Sequence, residues 1–207
     1  DRRILALFIL GFASGLPLLL VYSTLSFWLR QESVSLTEIG WFSLAGTAYG
    51  FKFLWAPLVD HIRIPVLAAR LGQRRSWLLC AQVAVVATIL ALGATRPGEA
   101  LTLTAFWAVA LAFASATQDI VVDAFRIEML DDEEQGSGAA NFVNGYRIGT
   151  LAAGAGALIL ADVYGWFWAY AAMAALMVLG MAVTLWLPEP LRLEGPEPAC
   201  EDWRARF

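Results

Sequence analysis

Residues 101–126 read LTLTAFWAVALAFASATQDIVVDAFR. From Leu101 to Gln118 there is no charged residue. A helix rises ~1.5 Å per residue, so the run Leu101–Val122 is ~33 Å long and can cross a hydrocarbon core of ~30 Å. Its last turns change character. Asp119, Asp123 and Arg126 are spaced i, i+4, i+7 and share one helix face, which Ala112 and Ser115 continue upward. A carboxylate in hydrocarbon is costly unless paired or hydrated, so Gln118, Asp119 and Asp123 mark a proton or substrate path. Asp119 lies ~27 Å along the helix from Leu101, toward one membrane boundary. The bland alternative is a solvated helix end held by an Asp123–Arg126 pair.

Five more apolar runs flank this one: Ile4–Leu29, Ile39–Val59, Trp77–Ala94, Phe142–Ala161 and Trp166–Leu187. The fold expected is all-α and membrane-embedded, a bundle of six transmembrane helices over 1–187. After Pro188-Glu189-Pro190 the chain turns polar, so 188–207 reads as a cytoplasmic tail or linker. The first run follows Arg2 and Arg3 but is too long for a signal peptide, and further spans follow it. The chain opens on Asp1 rather than Met, so its natural start is expected further upstream. Composition agrees: 59% of residues are hydrophobic and 15% charged, and mean hydropathy is +0.64. Soluble domains carry about 25% charge. A net charge of −4 offers no basic face for nucleic acid. Cys80 lies in an apolar run and Cys200 in the polar tail, which excludes a disulfide framework and leaves no metal spacing; neither cofactor nor metal is expected.

Arginine placement orients the bundle. The loop after the second run holds Arg63, Arg70, Arg74 and Arg75, against only Arg30 and Arg96 in the loops on either side of it. The positive-inside rule then puts the N-terminus, the second and fourth loops and the tail in the cytoplasm. In the second loop, Asp60 closing one span and Arg74 and Arg75 opening the next can form a salt-bridge latch. Simple retention by the arginines is the alternative, but it leaves Asp60 unexplained.

Within the spans, Gly15 and Pro17 mark a bend in the first helix, either beside a substrate path or as a plain structural kink. Lys52 and Arg147 lie inside the second and fifth runs, some ~10 Å from the cytoplasmic face. Each can snorkel, or both can join Asp119 in a charge cluster on a watered cavity. Gly46 and Gly50, and Gly145 and Gly149, form small-residue faces that allow close helix approach, within this bundle or against a second one. Gly11-Phe12-Ala13-Ser14-Gly15 echoes Ala112-Phe113-Ala114-Ser115-Ala116, as two inverted three-helix repeats would require. Two other readings stand beside a transporter. One is a self-associating membrane scaffold. The other is a metal-dependent lipid-headgroup transferase using the Asp119/Asp123 spacing, although no span supplies the further acids that two metals need.

Together these residues resemble the major facilitator superfamily: Asp60 with Gly72-Gln73-Arg74-Arg75 is similar to its loop signature, with an insertion. More closely, the chain resembles the muropeptide permease (AmpG) family, in LGFASGLP (10–17), FKFLWAPL (51–58), SATQDIV (115–121) and GYRIG (145–149). His61 departs from that pattern, standing where an Arg usually follows the loop Asp. The resemblance implies a proton-driven importer of anhydro-sugar peptides in the inner membrane of a Gram-negative bacterium. It implies two six-helix halves, of which this chain is the N-terminal one and the C-terminal half a missing partner. Spans 1 and 4 would then line the cavity, and spans 2 and 5 would meet the other half.

Overall fold

The computed structural model describes residues 2–62 and 64–189, and every regular element among them is helical. The expected tail lies outside the described residues from position 190 onward. Segment 1 is α1 (Arg2–Val21) followed by α2 (Ser23–Gln31), and segment 2 runs from α3 (Leu36–Phe42) through α4 (Thr47–Phe51) to α5 (Ala56–His61). A connecting helix α6 (Pro65–Leu71) leads to segment 3, α7 (Gln73–Gly93), and segment 4 is α8 (Leu101–Met129). Segment 5 joins α9 (Gln135–Leu151) to α10 (Ala157–Tyr164), and segment 6 is α11 (Trp166–Trp186).

Five of these segments, 1 and 3–6, are long and apolar enough to cross a membrane. The sequence pattern predicts six. The second segment departs because it is a succession of short helices, with 3₁₀ turns at Ser43–Gly46 and Lys52–Leu54. Gly40, Gly46 and Gly50 lower helix propensity along it. The Ser43 hydroxyl donates to Gly40 O and the Thr47 hydroxyl to Leu44 O, both at 2.6 Å, which competes with the α-helical ladder. Pro57 has no N–H to give to the preceding turn.

Proline does not break segment 1 where the bend is expected. α1 runs through Pro17, and the non-helical residue is Tyr22, at φ −97°, ψ −94°. Segment 5 carries a matching irregularity, one turn of π-helix at Ala152–Gly156. The two meet: the buried Thr24 hydroxyl donates to Ala153 O at 2.8 Å. Such a bond satisfies a carbonyl in a region where water is absent.

The tightest pairing in the bundle joins α1 to α9. Its cause is a reciprocal set of glycines. A Cβ at Gly11 would strike Phe142 O, one at Gly15 would strike Tyr146 O, one at Gly145 would strike Phe8 O, and one at Gly149 would strike Phe12 O. Each helix thus offers two glycines four apart, and the backbones touch. On the other side α7 packs between α8 and α11, and α1 also touches α8 and α11. The buried interior divides into a cluster around Leu10, Leu78, Val121, Phe125 and Val183 toward the Arg74 end, and one around Leu16, Leu20, Leu92 and Met173 beyond it. Tyr170 is fully buried there, and its hydroxyl donates to Leu20 O at 3.0 Å. Outward faces stay apolar. Leu103, Phe106, Val109 and Phe113 form an exposed apolar stripe on α8, as contact with lipid or with further apolar helices allows and water would not. The chain is therefore an all-α, multi-pass membrane protein.

Candidate functional site

Segments 1, 2, 4 and 5 bring their polar side chains together at mid-bundle. Ser14 (1% exposed) and Gln118 (fully buried) are held where α1 crosses α8, with Gln118 Nε2 donating to Ser14 Oγ at 3.1 Å. The Ser14 hydroxyl also reaches the half-buried Asp119 carboxylate. Lys52 Nζ lies 3.4 Å from Asp123 Oδ2 and within electrostatic reach of Asp119. The ammonium thus faces two carboxylates one turn apart on α8, a spacing that follows from i, i+4. Trp55 closes the lower side, its indole N–H donating to Thr117 Oγ1 at 3.2 Å and its ring 4.6 Å from that of Phe113.

Several expected site residues sit elsewhere. Asp123 pairs with Lys52, not with Arg126, whose guanidinium lies over the Phe142 ring at 5.7 Å. Arg147 is exposed and makes no ion pair with any described residue, so it does not join Lys52 and Asp119. Gly15 and Pro17 are buried, and Gly15 meets the backbone of α9 rather than an open path. Gly145 and Gly149 likewise pack on α1 inside the bundle, and Gly46 is covered by the Tyr22 ring. Of the four small residues assigned to a second bundle, only Gly50 faces open space.

Three tyrosines complete the site and are missed by sequence reasoning. The phenols of Tyr49 and Tyr146 are each within electrostatic reach of Asp119 and of Tyr22. Nothing in the spacing of 22, 49 and 146 along the chain brings them together; the 1–5 glycine crossing and the 1–2 packing do.

A second charged centre lies at the far end of α7. Arg74 Nη1 donates to Asp60 Oδ1 at 2.5 Å, while its Nε and Nη2 grip Glu128 at 3.1 and 2.6 Å. Both Arg74 and Glu128 side chains are only 15% exposed. Bidentate contact of this kind is the strong form of an arginine–carboxylate pair. Glu189 accepts from the backbone N–H groups of Arg74 (2.7 Å) and Arg75 (3.1 Å), capping the start of α7. Arg75 answers by donating to Thr184 O at 3.0 Å and Leu185 O at 2.5 Å, carbonyls at the end of α11. Helix ends leave such groups unsatisfied, and each helix here caps the other. Arg75 therefore does not bind Asp60, and the acids that complete the latch are Glu128 and Glu189. Gln73 adds a bond from Nε2 to Asp60 O at 2.6 Å. His61 is exposed, with Nδ1 2.7 Å from Pro57 O. Among the described residues no group of three His, Cys, Asp or Glu side chains could hold a metal.

Comparison with known proteins gives concordant results. A family model described as acetyl-coenzyme A transporter 1 matches residues 3–101. The chain is 49% identical over 185 residues to an anhydromuropeptide permease of Escherichia coli (strain K12), covering 89% of this chain and 37% of that protein. It is 44% identical over 168 residues to the putative transporter AmpG 4 of Rickettsia felis, covering 81% of this chain and 40% of the relative. A Haemophilus influenzae protein named only as uncharacterized is 38% identical over 193 residues, covering 93% and 44%. The chain thus spans less than half the length of these relatives.

Proposed function

Because the chain belongs to the muropeptide permease (AmpG) family, we propose that it is the first six-helix half of a proton-coupled importer of muropeptides, anhydro-sugars bearing a short peptide. The architecture inferred is that of the major facilitator superfamily, in a bacterial inner membrane, with the Arg74 end in the cytoplasm and residues 188–207 leading toward a second half. One observation carries the reading: Asp119, Lys52 and Asp123 form a partly exposed charged group on the apolar spans, on helices that also bury Ser14 and Gln118. Ionisable side chains are kept at such depth where they serve a substrate or proton path.

The helix pairings support a two-fold plan. Segments 1–5 and 4–2 touch, as do 1–6 and 4–3, and an inverted repeat relating segments 1–3 to 4–6 exchanges these pairs. In this scheme Asp119 takes up and releases the coupled proton while Lys52 alternates between Asp119 and Asp123. Arg147, free of internal partners among the described residues, is left for a substrate carboxylate. Gly50 and the exposed Phe51, Phe53 and Leu54 face the second half. Asp60, Arg74, Arg75 and Glu128 fasten the cytoplasmic end and must part when it opens.

Uptake of a labelled anhydromuropeptide into proteoliposomes of the full-length protein, driven by an imposed proton gradient, tests the assignment. Asp119→Asn keeps the size of the side chain but cannot exchange a proton; gradient-driven uptake should be lost while the protein stays in the membrane. Asp123→Asn should lose less. Wild-type, pH-dependent uptake by Asp119→Asn would rule out the proton role.

A further inference from the structure

The tyrosines are not used by the proton scheme, yet the fold brings their phenols within electrostatic reach of one another. Counting ~1.5 Å per residue, Tyr22 is ~14 Å from the Gln31 end of segment 1 and Tyr49 is ~20 Å from Leu36. Ser115 is ~21 Å from Leu101, and Tyr146 is ~27 Å from Tyr164, the end of segment 5 on the same side. The backbone positions therefore differ in depth, Tyr22 nearest that side and Tyr146 farthest, and it is the side chains that converge toward the middle of the bundle, where transporters of this kind hold their substrates.

The local geometry is that of a site with unmet hydrogen bonds. The Tyr22 and Tyr49 rings are 6.4 Å apart at 30°. The Tyr22 phenol is seated on Gly46 with its hydroxyl nearest, where any side chain would collide with it. Tyr49 Oη and Ser115 Oγ are neighbours but neither has a partner in hydrogen-bond geometry, and Gln118 Oε1 is also unpartnered. Ser115 is 1% exposed and Gln118 fully buried. Buried polar atoms are almost always satisfied in folded proteins; Tyr49 and Ser115 can turn to one another, which leaves Gln118 Oε1 as the acceptor that a ligand would complete.

The cluster also has a definite chemistry. It offers aromatic rings with hydroxyl tips and uncharged donors and acceptors; Lys52, Asp119 and Asp123 begin one turn below Ser115, and Arg147 follows Tyr146 on segment 5. Phenol groups combine an apolar face with a polar edge, which matches a pyranose ring with its C–H faces and equatorial hydroxyls. A peptide, with its carboxylates, calls for the charged side.

We propose that Tyr22, Tyr49, Tyr146 and Ser115 form the subsite for the neutral sugar part of the substrate, with the peptide part lying toward Lys52 and Arg147. This rests on the muropeptide reading above. The test uses the full-length protein in detergent and two probes, an anhydro-disaccharide without peptide and the same sugar carrying its peptide. Tyr22→Phe, Tyr49→Phe and Tyr146→Phe each remove one hydroxyl from a different helix and leave the ring. Loss of one hydrogen bond to the ligand should weaken binding about fivefold, and by the same factor for both probes. A loss confined to the peptide-bearing probe would overturn the subsite, as would unchanged binding of both probes by all three variants. Failure of the wild-type protein to bind either probe would instead remove the muropeptide reading, and the subsite with it.

Discussion

The glycine crossing of segments 1 and 5 can be perturbed at one atom. A Cβ at Gly145 would stand 2.9 Å from Phe12 N and 2.9 Å from Phe8 C, and one at Gly149 would stand 3.1 Å from Phe12 C and 3.3 Å from Gly15 Cα. Ordinary carbon contacts lie at about 3.5–4.0 Å. The obstacles are backbone, which no rotamer change can move, and Phe8 O is nearer still, so Gly145→Ala must part the helices by more than about 1 Å. Overpacking of this kind costs about 1–3 kcal/mol, and the lost Cα–H···O contacts add about 0.5–1 kcal/mol each. Better helix propensity returns about 0.8–1 kcal/mol per Gly→Ala change. The net is a loss of about 1–2 kcal/mol for either single variant and more for the pair. Gly50→Ala is the internal control. A Cβ there meets nothing within 4 Å, so in residues 1–207 alone only the propensity gain applies, and stability should rise by up to about 1 kcal/mol. Reversible unfolding in detergent micelles measures both. Wild-type stability in the Gly145→Ala/Gly149→Ala double variant, or a loss at Gly50 as large as at Gly145, would refute the reasoning. A loss at Gly50 that appears only in the full-length protein would locate the face that the second half covers.

Two further outcomes are expected. Glu128→Gln leaves Arg74 with Asp60 alone, and because both Arg74 and Glu128 side chains are 15% exposed the unfolding free energy should fall by about 2–3 kcal/mol. Asp60→Asn, at a position 41% exposed, should cost less, and the reverse order would show that Glu128 does not hold the latch. Single cysteines at Gln73 and Ser137, with Cys80 and Cys200 replaced by serine, should be shielded from an impermeant thiol reagent in intact cells, whereas cysteines at Ser33 and Gly98 should react; the opposite pattern would invert the proposed orientation.

Apolar length alone makes most of the fold legible in the sequence, because burial in lipid imposes a long uninterrupted helix and little else does. Where the reading fails, a local effect outweighs hydropathy. α9 begins at Gln135, seven residues before the apolar run at Phe142, since Gly136, Ser137 and Gly138 are too small and polar to register as a span. Gly138 is nonetheless buried, with the Leu130 side chain against it. Segment 2 is one apolar run in sequence but several helices in space, because hydroxyl-to-carbonyl bonds from Ser43 and Thr47 compete with its ladder. The small-residue motif at Gly145 and Gly149 is visible in the sequence, but its partner is not. Gly11 and Gly15 are the mates, and only the crossing itself identifies them. The charged residues behave similarly. Asp119 and Asp123 announce themselves by sitting in or beside an apolar run, whereas Glu128 sits among polar neighbours at a helix end and becomes significant only through Arg74.

Two sets of contacts fasten the bundle by different physics, and this bears on what can move. At the Arg74 end a single guanidinium ties segments 2, 3 and 4 through Asp60 and Glu128, and mutual caps join α7 to α11. Such bonds are short-ranged and exchangeable with water, so they can be made and broken as a surface opens. The α1–α9 crossing has no such exchange, because its contacts are backbone against backbone and separation would leave voids that lipid chains cannot fill closely. Above the crossing the constraint relaxes: segment 1 leaves helical geometry at Tyr22, segment 5 widens into a π-turn at Ala152–Gly156, and Thr24 bridges them. On the proposed reading, segments 1 and 5 below Tyr22 therefore move as one body, the Arg74 contacts open and close, and the Tyr22 level is where bending concentrates. Tyr22 also belongs to the inferred sugar subsite, whereas Tyr146 lies in the rigid crossing, so a bound pyranose would bridge the bend and the body below it.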